Sequence, residues 1–295
     1  MAREWSGAEL SRLRAGVRLQ SRSADGLPER LPRVVRSLPL TIIMDHDEFK
    51  GGDGRFPATR WSVIAAVRSK DGAERERALD ALCEAYWKPV YKYVRLRWKR
   101  AAPDAQDLTQ GFFAEMLKRE LLNRFDPSRS RLRTYLRLCV DSFVMNEDKA
   151  ARRRKRGGDV QHLALDFAGA EEELAGGTID PAAIASPESL EEFFETEWLR
   201  SLFALAVEDL RALCAERTRD RDFRLFEAYE LDGDDKISYA QLGQQFGMAV
   251  SDVNNALAWA RREFRKLALE RLRAMCGSDD EFRRETITAF GWDAG

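Results

Sequence analysis

Residues 239–258 read YAQLGQQFGMAVSDVNNALA, two helical patterns meeting around a glycine. A helix-turn-helix needs a small residue where its helices cross, a turn glycine that tolerates positive φ, and a buried aliphatic early in the second helix. Gly243, Gly247 and Val253 stand at those three places. Val253, Leu257, Ala260, Phe264 and Leu267 then make an inward stripe at helical spacing. Asn254, Ala258, Arg261, Arg262 and Arg265 fall on the other side. Asn reads adenine edges in the major groove, and Arg holds phosphate or guanine. Ser251, Asn254, Asn255, Arg261, Arg262 and Arg265 are therefore expected to face duplex DNA. Ala249 occupies the usual Ser/Thr cap position, so Ser251 is expected to cap the helix instead. An ordinary helical hairpin with a solvated polar face fits the same pattern.

Just upstream, residues 230–241 imitate a calcium-binding loop. The turn glycine of such a loop is here Asp235, and the bidentate Glu at its end is Gln241, so neither the geometry nor the charge suits calcium. A turn leading into the helix-turn-helix is the expected role.

The formal net charge is only −1, from 49 Lys and Arg against 50 Asp and Glu, but the charge is segregated. Residues 131–156 hold nine basic and three acidic side chains, residues 157–200 one basic and eleven acidic, and residues 251–275 six basic and three acidic. Two basic blocks separated by an acidic one suggest two nucleic-acid surfaces joined by a linker. Cys83, Cys139, Cys214 and Cys276 are far apart, without a CxxC pair, and His46 and His162 are the only histidines. That argues against a zinc knuckle or a disulfide frame and suits a reduced cytoplasm. No metal or cofactor is expected. No apolar run approaches the ~20 residues that span a bilayer, and the Arg-rich start lacks an apolar signal segment.

The fold class expected is all-α: two helical domains joined by an acidic, flexible linker. Residues 1–55 read as a disordered extension, and Met44 could be the true start. Residues 56–158 carry three helical patterns. In the first, Leu79, Leu82, Cys83, Tyr86, Val90 and Val94 recur, with Pro89 expected to kink the helix. The second opens after Pro103 with Leu108, Phe112, Phe113, Met116 and Leu117. The third follows a turn at Asp126-Pro127 with Leu132, Tyr135, Leu136, Cys139, Phe143 and Val144, and runs out through Lys149 into Arg152–Arg156. Residues 159–190 read as the linker, 191–275 as a second helical domain and 276–295 as a tail.

The stretch 104–113, DAQDLTQGFF, resembles the signature helix of region two of bacterial RNA polymerase sigma factors. The likeness continues through Asp126-Pro127 and residues 131–158, and backwards to Phe56–Trp61 and Tyr86–Pro89. With the region-four-like helix-turn-helix and no region-three domain between, the pattern is similar to the extracytoplasmic-function sigma factors. The resemblance implies a non-enzymatic initiation subunit, cytoplasmic and nucleoid-associated, with core RNA polymerase and promoter DNA as partners. Asp104, Asp107, Gln110 and Phe113 would meet the β′ clamp helices, and the helix-turn-helix domain would meet the β flap. Asn146, Lys149, Arg152, Arg153 and Arg156 would meet the minus-ten element, with Phe125, Tyr135 and Phe143 as aromatics near a splayed strand. The recognition helix would read the minus-thirty-five element. An anti-sigma factor or a regulatory kinase would be a natural further partner.

Gln106 and Gly111 depart from the family, which often has acids there. Glycine inside a helix costs roughly 1 kcal/mol relative to alanine, so weak polymerase binding is one expectation, with phosphorylation of Thr109 as a remedy. The acidic residues Glu171, Glu172, Glu173, Asp180, Glu188, Glu191 and Glu192 suit either a nucleic-acid mimic, as in linkers of this family, or a solubilising spacer. A regulator that binds duplex DNA without engaging polymerase is the alternative. No P-loop, Ser-His-Asp order or His-rich metal cluster supports a hydrolase or nuclease.

Overall fold

The computed structural model describes residues 63–118, 121–151, 165–175, 186–231 and 237–290. Among them the protein is all-α, with no strand. Its helices are α1 (Val63–Val67), α2 (Gly72–Arg97), α3 (Ala102–Lys118), α4 (Leu132–Ala151), α5 (Phe167–Ala175), α6 (Pro187–Glu216), α7 (Asp220–Phe226), α8 (Tyr239–Phe246), α9 (Val250–Ala274) and α10 (Asp279–Phe290). The chain forms two compact units, and the division falls between Trp198 and Leu199, within α6.

In the first unit, Asp71 caps α2 by accepting from the backbone N–H groups of Ala73 and Glu74, satisfying donors that a helix start leaves open. The helix continues through Pro89, at its buried face. Leu82, Tyr86, Val90, Tyr93 and Val94 of α2 are buried, as are Ala105, Phe112, Phe113 and Met116 of α3 and Leu132, Leu136, Val140 and Val144 of α4. Most of the expected apolar positions are among these, while Leu79, Cys83, Leu108, Leu117, Tyr135, Cys139 and Phe143 are half-buried at the edges of the stripes. The Asp126-Pro127 turn is closed by Asp126, whose Oδ1 accepts from the Ser128 amide and hydroxyl. The helix expected after the turn forms as far as Ala151.

The acidic stretch departs from the flexible linker expected over 159–190. Residues 167–175 form α5, and α6 begins at Pro187. Residues 187–198 belong to the first unit: Trp198 stacks on Tyr86 with centroids 6.0 Å apart, and Phe194 meets Tyr93 edge-on at 5.6 Å. Five carboxylates of this stretch, those of Glu171, Glu173, Glu191, Glu195 and Glu197, are bound to cations. Glu195 pairs with Arg133 and Arg131, and Glu191 with Arg137. Lys92, 2% exposed, pairs with Glu197, 1% exposed, and with Glu173 at 2.7 Å. Opposite charges that sequence order separates are thus neutralised inside one unit, because burial of either partner alone would be far more costly.

In the second unit, Phe264 of α9 lies 5.5 Å from Phe226 and 6.3 Å from Phe203, and Phe203 meets Phe290 at 5.6 Å. Arg271 holds Asp209 through two hydrogen bonds of 2.6 and 2.7 Å. Residues 276–290 are not the tail expected: Glu281, Glu285, Thr286, Ala289 and Phe290 of α10 are buried.

Replacing Lys92 by methionine leaves Glu197 buried without its ammonium, and should destabilise the first unit by about 3–5 kcal/mol. Lys88→Met, which removes a pair nearer the surface, should cost about 1 kcal/mol or less. Urea unfolding of the two variants checks this; equal losses would contradict it. Burial works against the charge of Glu173, but Lys88 and Lys92 outweigh it and hold the carboxyl below its ordinary value of 4.5. The Arg95 hydrogen bonds do the same for Glu171. With both folded values depressed, their stabilisation is complete above the ordinary value and lost as pH falls through the lowered ones. Amide exchange at 167–175, corrected for its intrinsic pH dependence, should therefore accelerate below about pH 4.5.

Candidate nucleic-acid interface

The helix-turn-helix forms from α8, a turn at 247–249 and α9. Ser238 and Gln241 make a reciprocal capping box at the start of α8, which is how Gln241 of the calcium-like stretch is employed. Residues 232–236 of that stretch lie outside the described residues, and no group of three or more His, Cys, Asp or Glu among the described residues could hold a metal. Gly247 ends α8 at φ 61°, in the left-handed region that favours glycine. A Cβ on Gly243 would stand 2.8 Å from the Met248 carbonyl oxygen, so this close turn needs a glycine there too. Val253 is fully buried with Leu225, Leu242, Ala256 and Leu257, and Tyr229, Ile237, Phe246 and Met248 pack around them. Arg221 closes the turn from α7, donating to the Phe246 carbonyl at 2.7 Å and the Gly247 carbonyl at 3.3 Å. No local motif signals this contact, because Arg221 lies 25 and 26 residues away.

The six recognition-helix candidates divide. Ser251, Asn254, Asn255 and Arg262 are exposed on α9. Arg261 is committed internally: its Nε donates to Glu230 at 2.6 Å, its Nη1 to the Tyr239 hydroxyl at 3.2 Å, and its guanidinium lies over the Tyr229 ring. Burial opposes that charge, yet Glu230 outweighs it and raises the pKa. Arg265 is 9% exposed. Neither arginine presents a free guanidinium to a groove. Ser251 makes no cap, since Ala249 is the cap residue and has no side-chain bond.

Of the four candidates on α3, Asp104 and Asp107 are exposed, while Phe113 is fully buried beside Phe112 and Gln110 is 5% exposed with an unpaired Oε1. Both face the unit's own core. Gly111 has a packing reason, because a Cβ there would stand 3.1 Å from the Phe143 ring. Thr109 is fully buried and its hydroxyl donates to the Ala105 carbonyl at 2.7 Å, which closes it to a kinase in the folded unit.

Asn146 and Lys149 are exposed near the end of α4; Arg152, Arg153 and Arg156 lie outside the described residues. The nearby aromatics serve the fold: Phe125 packs on Tyr135 at 5.3 Å, Phe143 on Phe112 at 5.9 Å, and the Tyr135 hydroxyl donates to the Leu121 carbonyl. Leu138 and Met145, 51% and 44% exposed, were not among the expected contact residues. Their seven-residue spacing puts them on one face of α4, a signal present in the sequence. Of the acidic residues, Glu171, Glu173 and Glu191 are paired within the first unit, Glu192 is exposed, and Asp180 and the Glu188 side chain lie outside the description.

The class of protein these features define is an all-α chain with a helix-turn-helix whose second helix presents an open polar edge. No family model, curated protein or solved structure matches the chain. Among the described residues no helix is long and apolar enough to cross a membrane.

Gly243→Ala should destabilise the second unit by about 2–3 kcal/mol, because the clash is with backbone, and Gly247→Ala by about 1–2 kcal/mol. Gly72→Ala, in open space, should be neutral or better. Thermal unfolding orders the three; a Gly243→Ala protein as stable as the parent would contradict the turn geometry.

Proposed function

We propose that the chain is an RNA polymerase sigma factor of the extracytoplasmic-function type, which binds core polymerase and directs promoter recognition and initiation. The observation that carries its DNA-reading half is the turn fixed by Gly243, Gly247 and Arg221. It leaves Ser251, Asn254, Asn255 and Arg262 exposed along α9. Two adjacent amides can hydrogen-bond base edges, above all adenine, and Arg262 suits a phosphate. The polymerase half rests on the likeness of residues 104–113 to sigma region two, with Asp104 and Asp107 as the exposed acids. The exposed end of α4, with Asn146 and Lys149, suits the minus-ten element. The mechanism is binding: phosphate contacts set affinity and register, base contacts set sequence, and no covalent step is needed.

A regulator that binds duplex DNA without engaging polymerase is the second reading. It is favoured by the burial of Gln110 and Phe113, which leaves two of the four α3 candidates for a partner. Charge reversal separates the readings. Asp104→Lys with Asp107→Lys should weaken retention of core polymerase about tenfold, a change of about 1.4 kcal/mol; undiminished retention speaks for the regulator. Asn254→Ala with Asn255→Ala should abolish sequence preference, at about 1–3 kcal/mol per lost bidentate contact. Arg262→Ala should instead weaken binding evenly across sequences and reduce the salt slope by about one. Footprinting at several salt concentrations reads both effects.

A further inference from the structure

Helix α5 covers one side of α2 through contacts that a bound polyanion would also make. Trp87, Lys88, Tyr91, Lys92 and Arg95 recur on α2 at one-, three- and four-residue steps, so rings and cations share one side of the helix. Phe167 of α5 lies against both rings, its centroid 5.6 Å from Trp87 and 4.9 Å from Tyr91. Glu171 accepts from Arg95 Nε at 2.6 Å, from Arg95 Nη2 at 2.9 Å and from the Tyr91 hydroxyl at 2.7 Å. Glu173 accepts from Lys88 at 2.8 Å and Lys92 at 2.7 Å. An aromatic ring with two flanking carboxylates therefore occupies a strip of alternating rings and cations.

Such a strip is what proteins use to hold single strands, stacking bases on aromatics and pairing phosphates with cations. Helix α5 is suited to exchange. At nine residues it is too short to be stable by itself. Its ion pairs with Lys88 and Arg95 involve side chains 16–31% exposed, and its third, Glu173 with the buried Lys92, leaves Lys92 its Glu197 partner when α5 departs. With α5 lifted, the ion pairs of Lys88 and Arg95 with Glu173 and Glu171 would be gone while Lys92 kept that with Glu197, leaving cations of the strip for a bound anion. We infer that Trp87, Lys88, Tyr91 and Arg95 form a binding strip for single-stranded nucleic acid, and that α5 is its intramolecular occupant, displaced when a strand binds.

The strip is on α2, so it stands or falls separately from the promoter-reading role of α9. It is best tested in the full chain carrying Asn254→Ala and Asn255→Ala, with a fluorescent oligothymidine as probe. Glu171→Gln with Glu173→Gln should tighten binding about tenfold, the scale of one stacked base. Adding Trp87→Ala and Arg95→Ala should remove that gain. Glu192→Gln with Glu216→Gln, an equal charge change at exposed positions, should give much less. In the chain with α2 and α5 unaltered, saturating oligothymidine should accelerate amide exchange at 167–175, and polyglutamate should not. This second measurement decides alone if the glutamine variant fails to fold. The inference is overturned by a folded glutamine variant with unchanged affinity, by a gain that survives the α2 substitutions or is matched by the charge control, by unchanged exchange at 167–175, or by equal release with polyglutamate.

Discussion

The ammonium of Lys92 and the carboxylate of Glu197 meet inside the first unit, each almost wholly removed from water. Two buried charges are tolerable only when they face each other with their remaining bonds satisfied, and that requirement organises what surrounds them. Glu197 lies on the part of α6 that also sends Phe194 to Tyr93 and Trp198 to Tyr86. Lys92 lies between Lys88 and Arg95, and with them it holds α5. A stretch whose composition suggests a solvated spacer is thereby part of a packed unit. Its acids answer the arginines at the start of α4 as well as the cations of α2.

The second unit depends on shape more than on charge. Two glycines are required for different reasons, Gly247 by a left-handed backbone and Gly243 by the Met248 carbonyl above it. Arg221 ties α7 to the turn they create. The side chains left exposed at the start of α9 are Val250, Ser251, Asp252, Asn254 and Asn255, none of them basic. A reading surface of this kind would draw specificity from amide hydrogen bonds, with cations elsewhere supplying affinity.

The helix-turn-helix was legible because its determinants are local. A glycine at a positive φ, a glycine at a close approach and a buried valine lie within eleven residues of one another. The helical class was legible from apolar spacing for the same reason. The fate of individual charges was not, because it depends on partners far along the chain. Lys92 and Glu197 are 105 residues apart. Arg261 falls on the polar side of α9 by period alone, yet the short π-helix Glu227–Leu231 brings Glu230 to it. Phe113 and Gln110 show the reverse: a family likeness marks them for a partner, while the wide apolar face of α3 turns them into the core. Residues 279–290 look like a mixed-charge tail, yet Phe290 closes on Phe203 and makes them a helix of the second unit.

The proposed role as an initiation factor is tested most directly by run-off transcription from a genomic promoter library with purified core polymerase, in the presence and absence of the chain. The proposal predicts discrete transcripts that appear only when the chain is added and that share an upstream sequence element. Specific DNA binding with an identical transcript set in both reactions would contradict it.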